Sequence, residues 1–391
     1  MKDQSAAHYT MSPLELSITH ISFTISAGIL TVPRALVYIL ESSFGWISVI
    51  TCGVIVCLYI WLIFLLQKKL GNEGLFDYLK RIGRLKWAGK LFSLLFFLYF
   101  LAFFCIEGRI LARVVQIYLL DQTPAEVIFL FMVLATTYAC SKGVEGIVHI
   151  SLMYFPFVLS VLAIVVLLNI GNFQVNELRP FVAGDVMESF NILRMFYFFL
   201  GFEIFFFFQK YVNPVEADGR KQKKLKPLRT YILGVGSIVF IYGMIVVFSY
   251  GVLSVEATKV MPFPTVELSK EVEVLEGLIE RVEPLIIVMW IMTIFNTMAI
   301  LHFLAADTFH AQWLPGKNAN TIAFTFGLLS FMFAFYPESL TETLYMSEWI
   351  GYGGWIVVTL FLALGFLTIR KNSRSTRGTP ADTKPGGEVS G

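Results

Sequence analysis

The stretch ISFTISAGILTVPRALVYIL, residues 21–40, decides the fold. It holds no acidic residue and one arginine, Arg34. As a helix it is long enough to cross a hydrocarbon core of about 30 Å. Its centre, Ser26 to Pro33, is nonetheless poor helix material. Gly28 weakens a helix by about 1 kcal/mol against alanine, and Pro33 lacks an amide donor and crowds the preceding turn. In hydrocarbon, backbone groups freed in this way must find protein partners or line a wet cavity. Taken alone, the stretch leaves two readings open: a simple proline kink, or a break that serves a site.

The rest of the chain places this stretch in a membrane. Of its 391 residues 57% are hydrophobic and only 15% are Asp, Glu, Lys or Arg, with a mean hydropathy of +0.72. A water-soluble domain needs more charge to cover its surface. The apolar runs reach roughly 20 residues and do not alternate, which selects helices over a barrel. The expected fold class is therefore an all-α membrane protein. Ten spans are predicted, at about 14–40, 45–67, 89–120, 125–140, 149–170, 188–209, 229–254, 281–306, 319–336 and 349–369. Residues 1–11 are short and polar and show no cleavable-signal pattern, so the first apolar segment is expected to stay as an anchor.

Charge orients the spans. Lys68, Lys69, Lys80, Arg81, Arg84, Lys86 and Lys90 follow the second span. Arg220, Lys221, Lys223, Lys224, Lys226 and Arg229 follow the sixth, and Arg370, Lys371, Arg374 and Arg377 follow the tenth. The alternate loops are acidic, with Glu267, Glu271, Glu273, Glu276, Glu338, Glu342 and Glu348. Basic residues gather on the cytoplasmic side, so both termini are expected there. The basic loop GRKQKKLKPLR reads as an orientation signal touching anionic membrane lipids rather than as a nucleic-acid patch. In the loop before the eighth span, Leu268, Val272, Leu275 and Ile279 form one apolar stripe on an acidic helix around 266–280. A covering helix and a gating or docking helix are equally compatible with that pattern.

The sixth span gives the first one a counterpart. It reads MFYFFLGFEIFFFFQ, with Gly201 and Glu203 inside a phenylalanine-rich run. A carboxylate at mid-span costs roughly 2.5–3.5 kcal/mol and faces the protein interior. Irregularities in spans 1 and 6, five helices apart, are the pattern of two inverted five-helix repeats with helices 1 and 6 broken at the midplane. The expected domain plan is a cytoplasmic tail over 1–13 and a ten-helix domain over 14–370, followed by a disordered cytoplasmic tail over 371–391 that is rich in Gly, Pro and Ser. Repeat one covers about 14–170 and repeat two about 188–370, with the boundary in the loop near 171–187.

Other polar residues within spans have competing readings. Thr293, Asn296 and Thr297 share one face of the eighth span, where they serve either a site or interhelical hydrogen bonds. Glu107, Arg109 and Arg113 in the third span are not at i,i+4 spacing, so they pair with other helices or snorkel. Glu107 and Glu203 are candidates for a proton site or a structural charge, Glu203 as a carrier or as a strut for the broken helix. Cys52, Cys57, Cys105 and Cys140 all lie in apolar runs and read as buried thiols, and the five histidines show no ligand spacing. No phosphate-binding loop, dinucleotide fingerprint, metal-ligand cluster or nucleophile motif is present, so neither an enzyme nor a cofactor is expected.

Two motifs then carry a resemblance. SAGILTVP resembles the first-helix G-S-G-I-F-x-x-P of the amino acid–polyamine–organocation permeases, and FFLGFE resembles their sixth-helix F-x-G-F-E. GILTVPR, the block PFPTVELSK…LIERVEPLIIVMWI and the ten-helix layout resemble the spore germination permeases, the B subunits of nutrient germinant receptors, over about residues 10–370. The resemblance implies a leucine-transporter-like fold in the spore inner membrane. It further implies A-type and C-type (lipoprotein) partner subunits and a small nutrient ligand bound in a central pocket. That pocket would use Ser26, Ala27, Gly28 and Ile29 on helix 1 and Phe199, Gly201 and Phe202 on helix 6. Thr293, Asn296 and Thr297 would join from helix 8. Ser26 departs from the permease pattern, which has glycine there, and the fifth span has no lysine to stand in for a coupling ion. An ion-coupled amino acid permease is the alternative function.

Overall fold

The computed structural model describes residues 9–40, 45–71, 73–178, 192–212, 226–271 and 283–377. The first transmembrane segment begins at a sequence-encoded stop. The Ser12 hydroxyl accepts from the Glu15 amide at 3.2 Å, and the Glu15 carboxylate accepts from the Ser12 amide at 2.6 Å. Pro13 occupies the first helical position, where no amide is needed. Helix α1 then runs Pro13–Gly28, and α2 follows at Val32–Leu40 with its axis 54° away. Pro33 sits in the first turn of α2, so its missing donor is of no consequence there.

The helices that follow are α3 (Gly45–Leu70), α4 (Leu75–Arg81), α5 (Lys86–Tyr118), α6 (Ala125–Ser141) and α7 (Gly143–Leu168). The segment expected as the sixth span is irregular. A 3₁₀ stretch, Ile192–Phe199, leads through Gly201 into the short helix α8, Ile204–Phe208. After it come α9 (Pro227–Leu253), α10 (Val255–Val260), α11 (Pro264–Lys270), α12 (Glu283–Trp313), α13 (Ala319–Phe333) and α14 (Leu340–Arg377). Six of the described helices are individually long and apolar enough to cross a membrane, or seven if α1 and α2 form one span, while α6 and α13 are shorter apolar helices.

Helix α1 lies against α9, α12 and α7, and α12 packs along α5. The Met11 amide donates to the Tyr211 carbonyl at 2.9 Å, which places the entry to helix 1 beside the exit from helix 6. The neighbouring Met11–Val212 bridge is parallel. The four cysteines are free thiols.

Two expectations meet a difference. Helix α14 starts at Leu340, earlier than the predicted 349, and so takes in Glu342 and Glu348. The reason is a local cap: the Ser339 hydroxyl accepts from the Glu342 amide, and the Glu342 carboxylate accepts from the Glu338 amide. Before α12, Leu268 lies buried in the short helix α11, while Val272, Leu275 and Ile279 of the expected acidic stripe fall outside the described residues. Much of the basic loop at 219–229, part of the expected repeat boundary and residues 378–391 of the tail also fall outside them.

Candidate functional site

Where α1 stops at Gly28, its last carbonyls lose their helical partners. Side chains from three other helices donate to the carbonyls in and around the break. The Trp290 indole on α12 donates to the Ser26 carbonyl at 2.9 Å. The Thr265 hydroxyl on α11 donates to the Ile29 carbonyl at 2.6 Å. The Tyr242 hydroxyl on α9 lies 2.6 Å from the Thr24 carbonyl, and Tyr250 donates to the Pro33 carbonyl at 3.1 Å. Ser26 and Thr297 place their hydroxyls 2.5 Å apart, and both lie within reach of the Phe23 carbonyl. A glycine suits position 28 because a Cβ there would sit 2.4 Å from the Tyr242 hydroxyl.

The helix 6 break is organised differently. Gly201 has φ +119°, a conformation that side chains with a Cβ rarely adopt. Its amide donates to the Glu203 carboxylate at 2.7 Å, two residues on. The other carboxylate oxygen accepts from the Tyr99 hydroxyl of α5 at 2.6 Å. A Cβ on Gly201 would meet the Phe23 ring at 2.4 Å and Thr24 at 2.7 Å, so the two breaks touch here. They are also joined by hydrogen bonds. Thr24 donates to the Leu200 carbonyl at 3.2 Å, and the Tyr242 hydroxyl reaches the Phe198 carbonyl at 3.2 Å as well as that of Thr24.

The structure brings together Ser26, Gly28, Gly201 and Thr297 of the expected site, all buried. Asn296 joins through Ser22 at 3.2 Å and reaches α7 through Ser151 at 3.0 Å. Ala27 and Ile29 are buried beside the break, and Phe199 packs edge-on against Tyr242. Thr293 and Phe202 do not reach it. The Thr293 hydroxyl turns back to the Trp290 carbonyl of its own helix, and the Phe202 ring lies on Tyr59 and Trp355. Glu107 accepts from the Tyr197 hydroxyl at 2.5 Å, which ties α5 to the 3₁₀ stretch of helix 6 rather than to the neighbouring arginines. Arg109 instead stacks over the Phe335 ring at 5.1 Å. Among the described residues no cluster of His, Cys, Asp and Glu could hold a metal ion.

Sequence reasoning missed Tyr242, Thr265 and Trp290. Each is an ordinary helical residue whose role depends on a neighbour more than 200 positions away. A cavity of about 470 Å³ opens next to the breaks, lined on one side by Thr31 of the turn before α2 and Arg34 of α2, and on others by Phe198 and the start of α14.

Two interrupted segments packed among long apolar helices define a helical membrane-protein fold. Solved structures agree on the fold. A Na+-coupled sialic acid symporter in its substrate-bound outward-open state aligns with a TM-score of 0.63 at 13% identity, over 93% of this chain and 82% of its own. MhsT in complex with L-phenylalanine aligns with a TM-score of 0.64 at 11% identity, over 91% of this chain and 90% of its own. The fold is thus leucine-transporter-like. The family model described as spore germination protein matches residues 10–343, and the chain belongs to that family. Spore germination protein A2 of Bacillus subtilis is 31% identical over 86% of this chain and 89% of its own length. The protein is accordingly a multi-pass integral membrane protein of permease type and not an enzyme.

Proposed function

We propose that this chain is the membrane subunit of a spore nutrient germinant receptor. A small nutrient, an amino acid in the first instance, engages the paired breaks of helices 1 and 6 and triggers germination. Ten spans carry the site: the six long helices, the bent α1–α2 pair, α6, α13 and the segment 192–212. Both termini face the cytoplasm, the membrane is the spore inner membrane, and A-type and C-type lipoprotein subunits are the partners. Family membership supports the setting. The observation that carries the reading is the direct tie between the two breaks, Thr24 to Leu200 and Tyr242 to both Thr24 and Phe198. A ligand that alters one break acts on the other through these bonds, which gives binding a route to a conformational output.

The test uses spores that lack their own receptors of this class and are supplied with this chain and its partner subunits. Nutrient-triggered germination should return, and Gly201→Ala should abolish it at an equal level of membrane-inserted chain. Full germination with Gly201→Ala would overturn the reading.

The second reading is an ion-coupled amino acid permease, favoured by the fold shared with a Na+-coupled symporter. Helix α7, which has no lysine, offers no built-in substitute for a coupling ion. Accumulation of labelled amino acid in liposomes under an imposed ion gradient separates the two readings.

A further inference from the structure

One line of residues along α5 faces away from the protein. Leu91, Leu98, Ala102, Arg109 and Arg113 follow one another at intervals of seven, four, seven and four, which puts them on a single stripe of the helix. Leu91 and Leu98 are exposed and the other three partly so, while Phe100 and Glu107 on the opposite side are buried. On a helix apolar enough to cross a membrane, such a stripe meets lipid. It is leucine over most of its length and arginine near one end.

Depth follows from length. The 33 residues of α5 make a rod of about 50 Å, against a hydrocarbon core of about 30 Å. Centred on that core, the helix leaves hydrocarbon at about residue 112, so Arg113 stands at the headgroup edge and Arg109 about 6 Å further in. Neither guanidinium has an ion pair or a hydrogen bond among the described residues. Arg109 sits over the Phe335 ring at 5.1 Å, and that ring is itself packed against Phe129 and Phe331. Glu126 is within electrostatic reach of Arg109 without pairing to it, and Arg113 repels Arg109 from one turn away. Two like charges so placed at the edge of hydrocarbon are unfavourable unless an anion lies between them.

The surroundings select the anion. Guanidinium forks match the oxygens of a phosphate, and both arginines stay charged at any physiological pH. The apolar stripe that continues inward suits an acyl chain, which a soluble anion would not use. Tyr336, exposed and next to Phe335, adds a ring of the kind that sits at headgroup level. We infer that Arg109 and Arg113 clamp the phosphate of a glycerophospholipid whose acyl chain lies along Ala102 towards Leu98. The leaflet is the one at the Tyr118 end of α5, the outer leaflet in the orientation proposed above. Glu107, on the other side of the same turn, accepts from Tyr197 of the helix 6 segment, so the lipid fixes the turn of α5 to which that segment is tied.

The experiment reads lipid binding and does not depend on germination. Full-length protein in a neutral detergent is titrated with phosphatidylglycerol, with diacylglycerol of the same chains and with inorganic phosphate, and the thermal unfolding midpoint is followed. Phosphatidylglycerol should bind about tenfold or more tightly than diacylglycerol, the scale of charge-assisted hydrogen bonds, and inorganic phosphate at the same concentrations should give no shift. Arg109→Gln combined with Arg113→Gln should lower that preference to about twofold or less without lowering the lipid-free midpoint. Arg109→Lys combined with Arg113→Lys should keep part of it, because lysine retains the charge and not the fork, and this pair gives the reading if the glutamine pair does not fold. Lys86→Gln combined with Lys90→Gln, at the other end of the helix, should leave the preference unchanged. Equal binding of phosphatidylglycerol and diacylglycerol, an undiminished preference in the arginine variants, or an equal loss in the Lys86 and Lys90 variant would each overturn the proposal. A shift with inorganic phosphate alone would define a site for soluble anions and overturn it as well.

Discussion

The two breaks solve the same problem in opposite ways. At helix 1 the freed carbonyls of Ser26 and Ile29 are met by Trp290 and Thr265, and the carbonyls of Thr24 and Pro33 accept from Tyr242 and Tyr250, all from distant helices. At helix 6 the distortion is intrinsic: Gly201 takes a backbone conformation of its own, and Glu203, two residues on, satisfies its amide. The first break is therefore held from outside and can be reshaped by moving α9, α11 or α12. The second is a fixed corner against which the first is pressed. One adjustable half set against one rigid half lets a single segment move while the other holds.

The largest effect that could break this comparison comes from the rigid half. Gly201→Ala adds a Cβ in a disfavoured backbone conformation and drives it into the Phe23 ring. It should cost about 3–5 kcal/mol, the sum of backbone strain and overpacking. Gly28→Ala also crowds Tyr242 and Val32, but Gly28 is not among the positive-φ residues, so its loss should be smaller by the backbone-strain contribution. Thermal midpoints of the two purified variants provide the check, and a Gly28→Ala loss as large as that of Gly201→Ala would deny the rigid corner. Next comes the external support. Trp290→Phe keeps the ring but leaves the buried Ser26 carbonyl without its indole donor, at a cost of about 1–3 kcal/mol. The smallest change should follow Thr293→Val, within about 0.5 kcal/mol, because that hydroxyl only doubles a bond within its own helix. A larger destabilisation, or any altered ligand response, would show that Thr293 belongs to the site after all.

How much of this was legible in the sequence varies by residue. Gly28, Pro33, Gly201 and Glu203 announce themselves, because glycine, proline and a carboxylate are out of place in an apolar helix. The facing of helix 8 was legible only in part. Helical spacing puts Thr293, Asn296 and Thr297 on one face, yet only the latter two reach helix 1, since spacing gives a direction and not a rotamer. The early start of α14 was written in Ser339 and Glu342, a capping pair that an average over hydropathy hides beneath its acidic residues. Tyr242, Thr265 and Trp290 left no such trace. Their partners are backbone carbonyls, which look the same at every position of a sequence.

The Tyr242 hydroxyl has a further consequence. It owns one proton, and two carbonyl oxygens compete for it: Thr24 at 2.6 Å and Phe198 at 3.2 Å. The shorter distance assigns the proton to helix 1 and leaves helix 6 the poorer claimant. The joint is thus a two-seat arrangement with a single occupant. Shifting either helix by a few tenths of an ångström would hand the proton across without breaking the count of hydrogen bonds, so the exchange is cheap in both directions. A contact that changes allegiance, rather than one that must be torn open, lets the two segments shift against each other at little cost.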